Sequence, residues 1–283
     1  MVAASATPPR RILVATDLSA QAGKAVRRAA QLGDQHRAQV SAVHVVPEGL
    51  APELTEFARS RLRSHLDEYA RTAATAVVRH GSVARAIDAE AGDGGADLLV
   101  VGAHGAHRLA GAFLGSTSAN LVRVSRVPVL VVRNPPGGPY RTVVLAVDTS
   151  PASATAARTA TCLTPQADHI VVHANVVLGE SLMRMHGAGD EQLDQLRAAS
   201  ADEVRGDITA LAAELVPPVT RIRIESGRPE TLLPELCRRH VADLVAVGTG
   251  GRSPLGYALL GSVAQHLLRH APSDVLVVPS GTG

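Results

Sequence analysis

Short apolar runs and longer amphipathic stretches alternate along this chain, and the alternation is played through twice. Residues 11–17 (RILVATD) have an apolar centre between polar ends, which predicts a strand covered on both faces. Ala22, Val26, Ala29 and Leu32 then recur at three- and four-residue spacing, so a helix follows, with Ser19 placed to cap it. A second strand is expected over residues 38–46, then a long amphipathic helix whose stripe of Leu54, Phe57, Leu62, Leu66, Tyr69 and Ala73 should face the core. Residues 77–80 predict a short strand, and Ser82 should cap a helix running through Ile87. The runs at 97–101 and 127–132 complete five strands, and Pro128 suits the last of them to an edge.

Residues 134–139 (NPPGGP) can continue neither a helix nor a central strand and read as a linker. Beyond it the pattern restarts, with strands at 142–148, 170–172, 219–225 and 274–278, and helices over 191–215 and around 232–237. Strands alternating with helices imply right-handed crossovers and a doubly wound parallel sheet. The expected architecture is α/β: two tandem Rossmann-like domains, 9–134 and 140–280, each an open five-stranded parallel sheet with helices on both faces. The strands at 127–132 and 274–278 both end their repeats with apolar faces, so they should pair with each other and make the chain an intramolecular pseudo-dimer. Pro128 and Asp274 should confine that pairing to the middle of each strand.

Between the fourth strand and the next helix of each half lies the stretch that carries chemistry. Residues 96–118 read ADLLVVGAHGAHRLAGAFLGSTS, and residues 242–264 read ADLVAVGTGGRSPLGYALLGSVA. An offset of 146 carries Asp97 to Asp243, Gly102 to Gly248, Gly105 to Gly251, Gly115 to Gly261 and Ser116 to Ser262. One GxxG is a weak signal; two copies with the same nine-residue gap to Gly-Ser are strong evidence of duplication. Glycines let backbone N–H groups face a ligand, and a helix beginning at Gly115-Ser116-Thr117 adds unpaired donors and a partial positive charge. Asp17 and Asp148 end the first strand of each half, at the sheet edge where open α/β sheets bind ligands.

Both loops match the G-x2-G-x9-G-[ST] signature of the ATP-binding branch of the universal stress protein family, and the chain resembles a tandem member of it. The resemblance implies ATP, with or without Mg2+. It places Asp17 and Val45, and in the second half Asp148 and Ala174, near ribose and adenine, with Ala15 and Ala146 beside them on the same strands. Gly102, Ala103, His104, Gly105, Gly115, Ser116 and Thr117 would surround the phosphates of the first site. Gly248, Thr249, Gly251, Gly261, Ser262 and Val263 would do so in the second. The second loop carries Arg252 where the first has Ala106, and Arg108 compensates two residues along. The resemblance further implies a stress-response regulator or sensor, with slow ATP hydrolysis as the alternative. Efficient turnover is not expected, because no general base repeats in both loops: His104 has no counterpart, and His44 and His173 read as structural hydrogen-bonders.

Composition narrows the partners. Hydrophobic residues are 46% and aromatics 2% of the 283, so Val, Leu, Ile and Ala must fill both cores. A net charge of +2, with Lys24 the sole lysine, gives no field for nucleic acid or membrane. Cys162 and Cys237 read as buried small hydrophobes rather than a disulfide framework, and no metal-ligand spacing is evident. No apolar run has signal-peptide or membrane-span length, so a cytoplasmic protein is expected. Closed symmetry favours a homodimer of chains, with a protein partner of unknown identity. A P-loop and an NAD-type fingerprint are both missing, since ATDLSA and AVDTSP stand after the first strands.

Overall fold

The central strands of the sheet are buried on both faces because helices cover each side, and its two outermost strands are only partly buried. The computed structural model describes residues 7–70, 74–104, 115–177, 179–219, 221–250 and 260–280. In the first half β1 (Arg11–Ala15), α1 (Ala20–His36), β2 (Gln39–Val46), α2 (Pro52–Tyr69), β3 (Ala74–His80), α3 (Val83–Asp93), β4 (Leu98–Gly102), α4 (Ser116–Val124) and β5 (Val129–Val132) follow in order. The second half comprises β6 (Thr142–Ala146), α5 (Pro151–Leu163), β7 (Asp168–Asn175), α6 (Glu180–Met185), α7 (Asp190–Glu214), β8 (Arg221–Ser226), α8 (Pro229–Arg239), β9 (Leu244–Gly248), α9 (Ser262–His270) and β10 (Asp274–Val278).

Among the described residues, ten strands form one sheet in the order β3-β2-β1-β4-β5-β10-β9-β6-β7-β8. Pairing is parallel within each half and antiparallel only between β5 and β10, where Val129, Leu130 and Val131 face Val277, Leu276 and Val275. The expected pseudo-dimer is therefore a continuous sheet. Pro128 lies just outside this ladder, so β5 is the edge of its own five strands and an interior strand of the chain. The true edges are β3 and β8, and β8 bears Arg221, Arg223 and Glu225, charges that discourage further strand addition.

One face of the sheet packs against α1, α2, α5 and α7 through residues such as Val26, Leu62, Ala156 and Ile208. The other packs against α3, α4, α8 and α9 through Ile87, Leu121, Leu233 and Leu267. Ser19 caps α1, its Oγ accepting from the Ala22 N–H at 3.1 Å, and Ser150 caps α5 in the same way at 3.3 Å from Ser153. Ser82 stands at the N-cap of α3 without a side-chain cap bond.

The α2 stripe is only partly core. Leu62, His65 and Leu66 are buried, whereas Leu54 and Phe57 are 54% and 64% exposed, and Ala73 lies outside the described residues. A helix of this length runs about 27 Å at 1.5 Å per residue, and its buried positions all fall in the C-terminal half that covers the sheet. Cys237 is buried as expected; Cys162 is half-buried. The repeated Asp97 and Asp243 lie at the opposite end of the sheet from the glycine loops. Each accepts two backbone N–H bonds, from Arg10 and Arg11 at 2.7 and 2.9 Å and from Arg141 and Thr142 at 2.8 and 3.1 Å, pinning the first strand of its half to the fourth.

Candidate functional site

Strand order reverses direction at β1 and β4 in the first half and at β6 and β9 in the second. At such a switch point the connections leave to opposite sides and open a crevice beyond the strands' C-terminal ends. A cavity of about 300 Å³ fills the first crevice and one of about 270 Å³ the second.

The turn after β1 sets one wall. Asp17 Oδ1 accepts the Ser19 N–H at 3.0 Å, and Asp148 Oδ1 accepts the Ser150 N–H at 2.9 Å together with the Ser150 hydroxyl. Partial burial pushes the Asp148 carboxyl up, but hydrogen bonds from Ser150 and Ser153 outweigh it and hold the group below the ordinary carboxylate range. His44 Nδ1 lies 2.9 Å from the Thr16 carbonyl, and His173 Nδ1 lies 3.0 Å from the Val147 carbonyl. A carbonyl can only accept, so each Nδ1 carries the proton. These two bonds fix the end of the second strand against the turn and bring Val45 and Ala174 to the cavity walls. The structural reading of both histidines agrees with that geometry.

The opposite wall is the start of α4 or α9. Gly115 and Gly261 are the N-caps, and neither helix has a side-chain cap bond, so its first-turn N–H groups meet the cavity uncapped. The loop ends are tied back by the Gly115 N–H to the Ala103 carbonyl at 2.8 Å and the Gly261 N–H to the Thr249 carbonyl at 2.6 Å. Close approach demands glycine here: a Cβ on Gly261 would meet the Thr249 carbonyl oxygen at 3.0 Å, and one on Gly248 would meet the Ala152 backbone at 2.9 Å.

Of the residues expected from sequence, Ala15, Asp17, Val45, Gly102, His104, Gly115, Ser116 and Thr117 line the first cavity. Ala146, Asp148, Ala174, Gly248, Gly261, Ser262 and Val263 line the second. Ala103 and Thr249 stand behind the walls as the carbonyl anchors just described, and the Thr249 hydroxyl pairs with Ser280 at 2.9 Å. Gly105, Arg108, Gly251 and Arg252 lie outside the described residues.

The sequence model of the Universal stress protein family matches residues 9–133 and again 139–279. The chain belongs to the universal stress protein family. A universal stress protein of Mycolicibacterium smegmatis is 29% identical over 293 residues, covering 94% of this chain and 96% of its own length. The crystal structure of a universal stress protein from Archaeoglobus fulgidus superposes with a TM-score of 0.66 at 18% identity, covering 96% of this chain and 99% of that one. A functionally unknown protein from Pseudomonas aeruginosa superposes with a TM-score of 0.65 at 20% identity over 96% of this chain and 92% of its own. These two are likenesses of fold.

Within this universal stress protein the two sites share a plan and differ in detail. Each cavity has an apolar side that motif reading missed, made of Val83 and Ile87 from α3 in one half and Pro229 and Leu233 from α8 in the other. The signal was present, because both pairs sit four apart at the start of a helix and are related by the same offset of 146 as the loops. Thr16 in the first half gives way to Val147 in the second. The Thr16 hydroxyl bonds the Nε2 of buried His65 at 3.1 Å, and burial lowers the pKa of that imidazole. Ser153 replaces Ala22 and bonds the Asp148 carbonyl at 2.6 Å.

Proposed function

We propose that this universal stress protein binds ATP in the switch-point cavities and acts as a cytoplasmic, nucleotide-dependent regulator or sensor in the stress response. The observation that carries the reading is one juxtaposition: an uncapped helix N-terminus opened by Gly-Ser borders the same crevice as a strand-end aspartate, in both halves. The helix end offers donors to phosphate. The aspartates, each an acceptor at the rim, suit the hydroxyls of a ribose, and the aliphatic wall from α3 or α8 suits a base. The first cavity falls at the lower end of the ~300–1,000 Å³ usual for small-molecule sites, and the second just below it.

The reading predicts that ATP raises the melting temperature. A ligand that binds only the native state stabilises by about 2.7 kcal/mol at a hundredfold excess over Kd. Calorimetric titration of nucleotide-free protein should give at least one ATP per chain; absence of heat and of any thermal shift would remove the proposal. Mass spectrometry of the nucleotide carried through purification separates a sensor, which retains ATP, from a hydrolase, which retains ADP. The same reading extends to a homodimer. Since β5 and β10 already pair with each other, two chains must meet elsewhere, and light scattering should give twice the chain mass.

A further inference from the structure

The two phosphate-side walls are not electrostatically alike. At the start of α9 the Ser262 hydroxyl donates to Glu230 Oε1 at 3.2 Å. Glu230 lies in the first turn of α8, so its carboxylate reaches the N-terminal end of α9, where the macrodipole and uncapped N–H groups favour an anion. Arg228 Nε is 3.9 Å from the carboxylate, but that side chain is 81% exposed, so solvent screens the pair while Glu230 itself is 26% exposed. The offset of 146 puts Ala84 at the matching place in the first turn of α3, the helix that packs against α4. At these matched positions the first half carries a neutral methyl and the second a carboxylate bonded to the cavity-lining Ser262. Other parts of the second site remain intact, including Asp148, Ala174 and the wall of Pro229 and Leu233.

We infer that Glu230 occupies the phosphate end of the second site as an internal anion, so that the chain binds ATP in its first half and a nucleoside or nucleoside monophosphate in its second. The inference rests on the nucleotide reading above. A polyphosphate entering the second site must displace the Ser262–Glu230 hydrogen bond and then lie against a like charge, whereas a ligand ending at the ribose or its first phosphate leaves the pair in place. Like charges within about 10 Å of each other at an effective dielectric near 20 weaken binding by about tenfold or more.

Titration calorimetry on the full chain tests this with ATP and AMP as the probes. The parent should bind one ATP tightly and a second at least about tenfold more weakly, and should bind AMP at both sites. Glu230→Gln, which keeps size and hydrogen bonding but removes charge, should bring the second ATP site to within a few-fold of the first. Ala84→Glu should weaken the first ATP site by about tenfold or more, and Ala84→Gln, the same bulk without charge, should not. Two equivalent ATP sites in the parent, or no change in Glu230→Gln, would overturn the division of labour while leaving nucleotide binding standing. Heat from neither ATP nor AMP in any variant would instead overturn the nucleotide reading itself.

Discussion

Asp274→Ala is expected to lower the unfolding free energy by about 3–5 kcal/mol, the usual cost of removing one partner from a buried charge pair. Asp274 opens β10 in the second half and is 1% exposed, yet its carboxylate serves the first half and the linker. Oδ1 accepts the Arg133 and Asn134 N–H groups at 2.8 and 3.2 Å, and Oδ2 accepts the Tyr140 hydroxyl at 2.7 Å. Arg28, from α1 and 5% exposed, brings its Nε to 3.8 Å from Oδ2, lies over the Tyr140 ring at 3.9 Å and donates to the Gly138 carbonyl at 2.8 Å. Burial pushes the Asp274 carboxyl above its ordinary value against these hydrogen bonds, and it drives the Tyr140 phenol well up. Ionising this carboxylate therefore has a cost, offset only in part by the donors that converge on it. Alanine would strand two backbone donors, a phenol and a buried guanidinium. Asp274→Asn retains an acceptor for the backbone pair and should lose less. Denaturant unfolding is the measurement, with the parent unfolding in one transition and Asp274→Ala resolving into two as the halves uncouple. A loss under about 1 kcal/mol would mean that the cluster does not hold the halves together.

Sequence could not announce that role, because Asp274 read only as a poor residue for extending a ladder. Its partners are 134 to 246 positions away along the chain or contributed by the backbone, and neither kind of contact leaves a local pattern. What sequence did reveal was everything carried by periodicity and repetition. The strands and most helices follow from apolar runs, and the loops were recognisable because the offset of 146 recurs in GxxG, in Gly-Ser and in the preceding strand. The β5–β10 pairing was also foreseen, from two apolar strands left at the edges of their repeats. Periodicity failed at Leu54 and Phe57, since a regular stripe states which side of a helix is apolar and not how far the sheet beneath it extends. It was silent on Glu230, whose neighbour Ser262 is brought to it by the docking of α8 against α9, a tertiary fact. Asp97 and Asp243 show the converse: duplication marked them, but they staple strand starts and lie away from both cavities.

The second large effect is expected at the seam of the sheet, where Leu130 of β5 lies directly opposite Leu276 of β10 and both are 0% exposed. Their side chains join the cluster under α1 and α5, while the flanking valines Val129, Val131, Val275 and Val277 join the cluster on the other face. Each leucine to alanine change should cost about 2–5 kcal/mol, the transfer term plus the cavity left in a close-packed site. Because the two side chains are cross-strand neighbours, the cavities adjoin, and the surroundings can relax into one enlarged void more readily than into two separate ones. The double variant should therefore cost less than the sum of the singles, by roughly 0.5–1 kcal/mol, as expected for residues in contact. Leu62→Ala supplies the comparison. That side chain is also 0% exposed, but it packs α2 inside the first half, far from the seam in strand order. It should destabilise by a similar amount and combine additively with Leu276→Ala. Full additivity of Leu130→Ala with Leu276→Ala, together with a single unchanged unfolding transition in the double variant, would contradict a seam in which these two leucines meet.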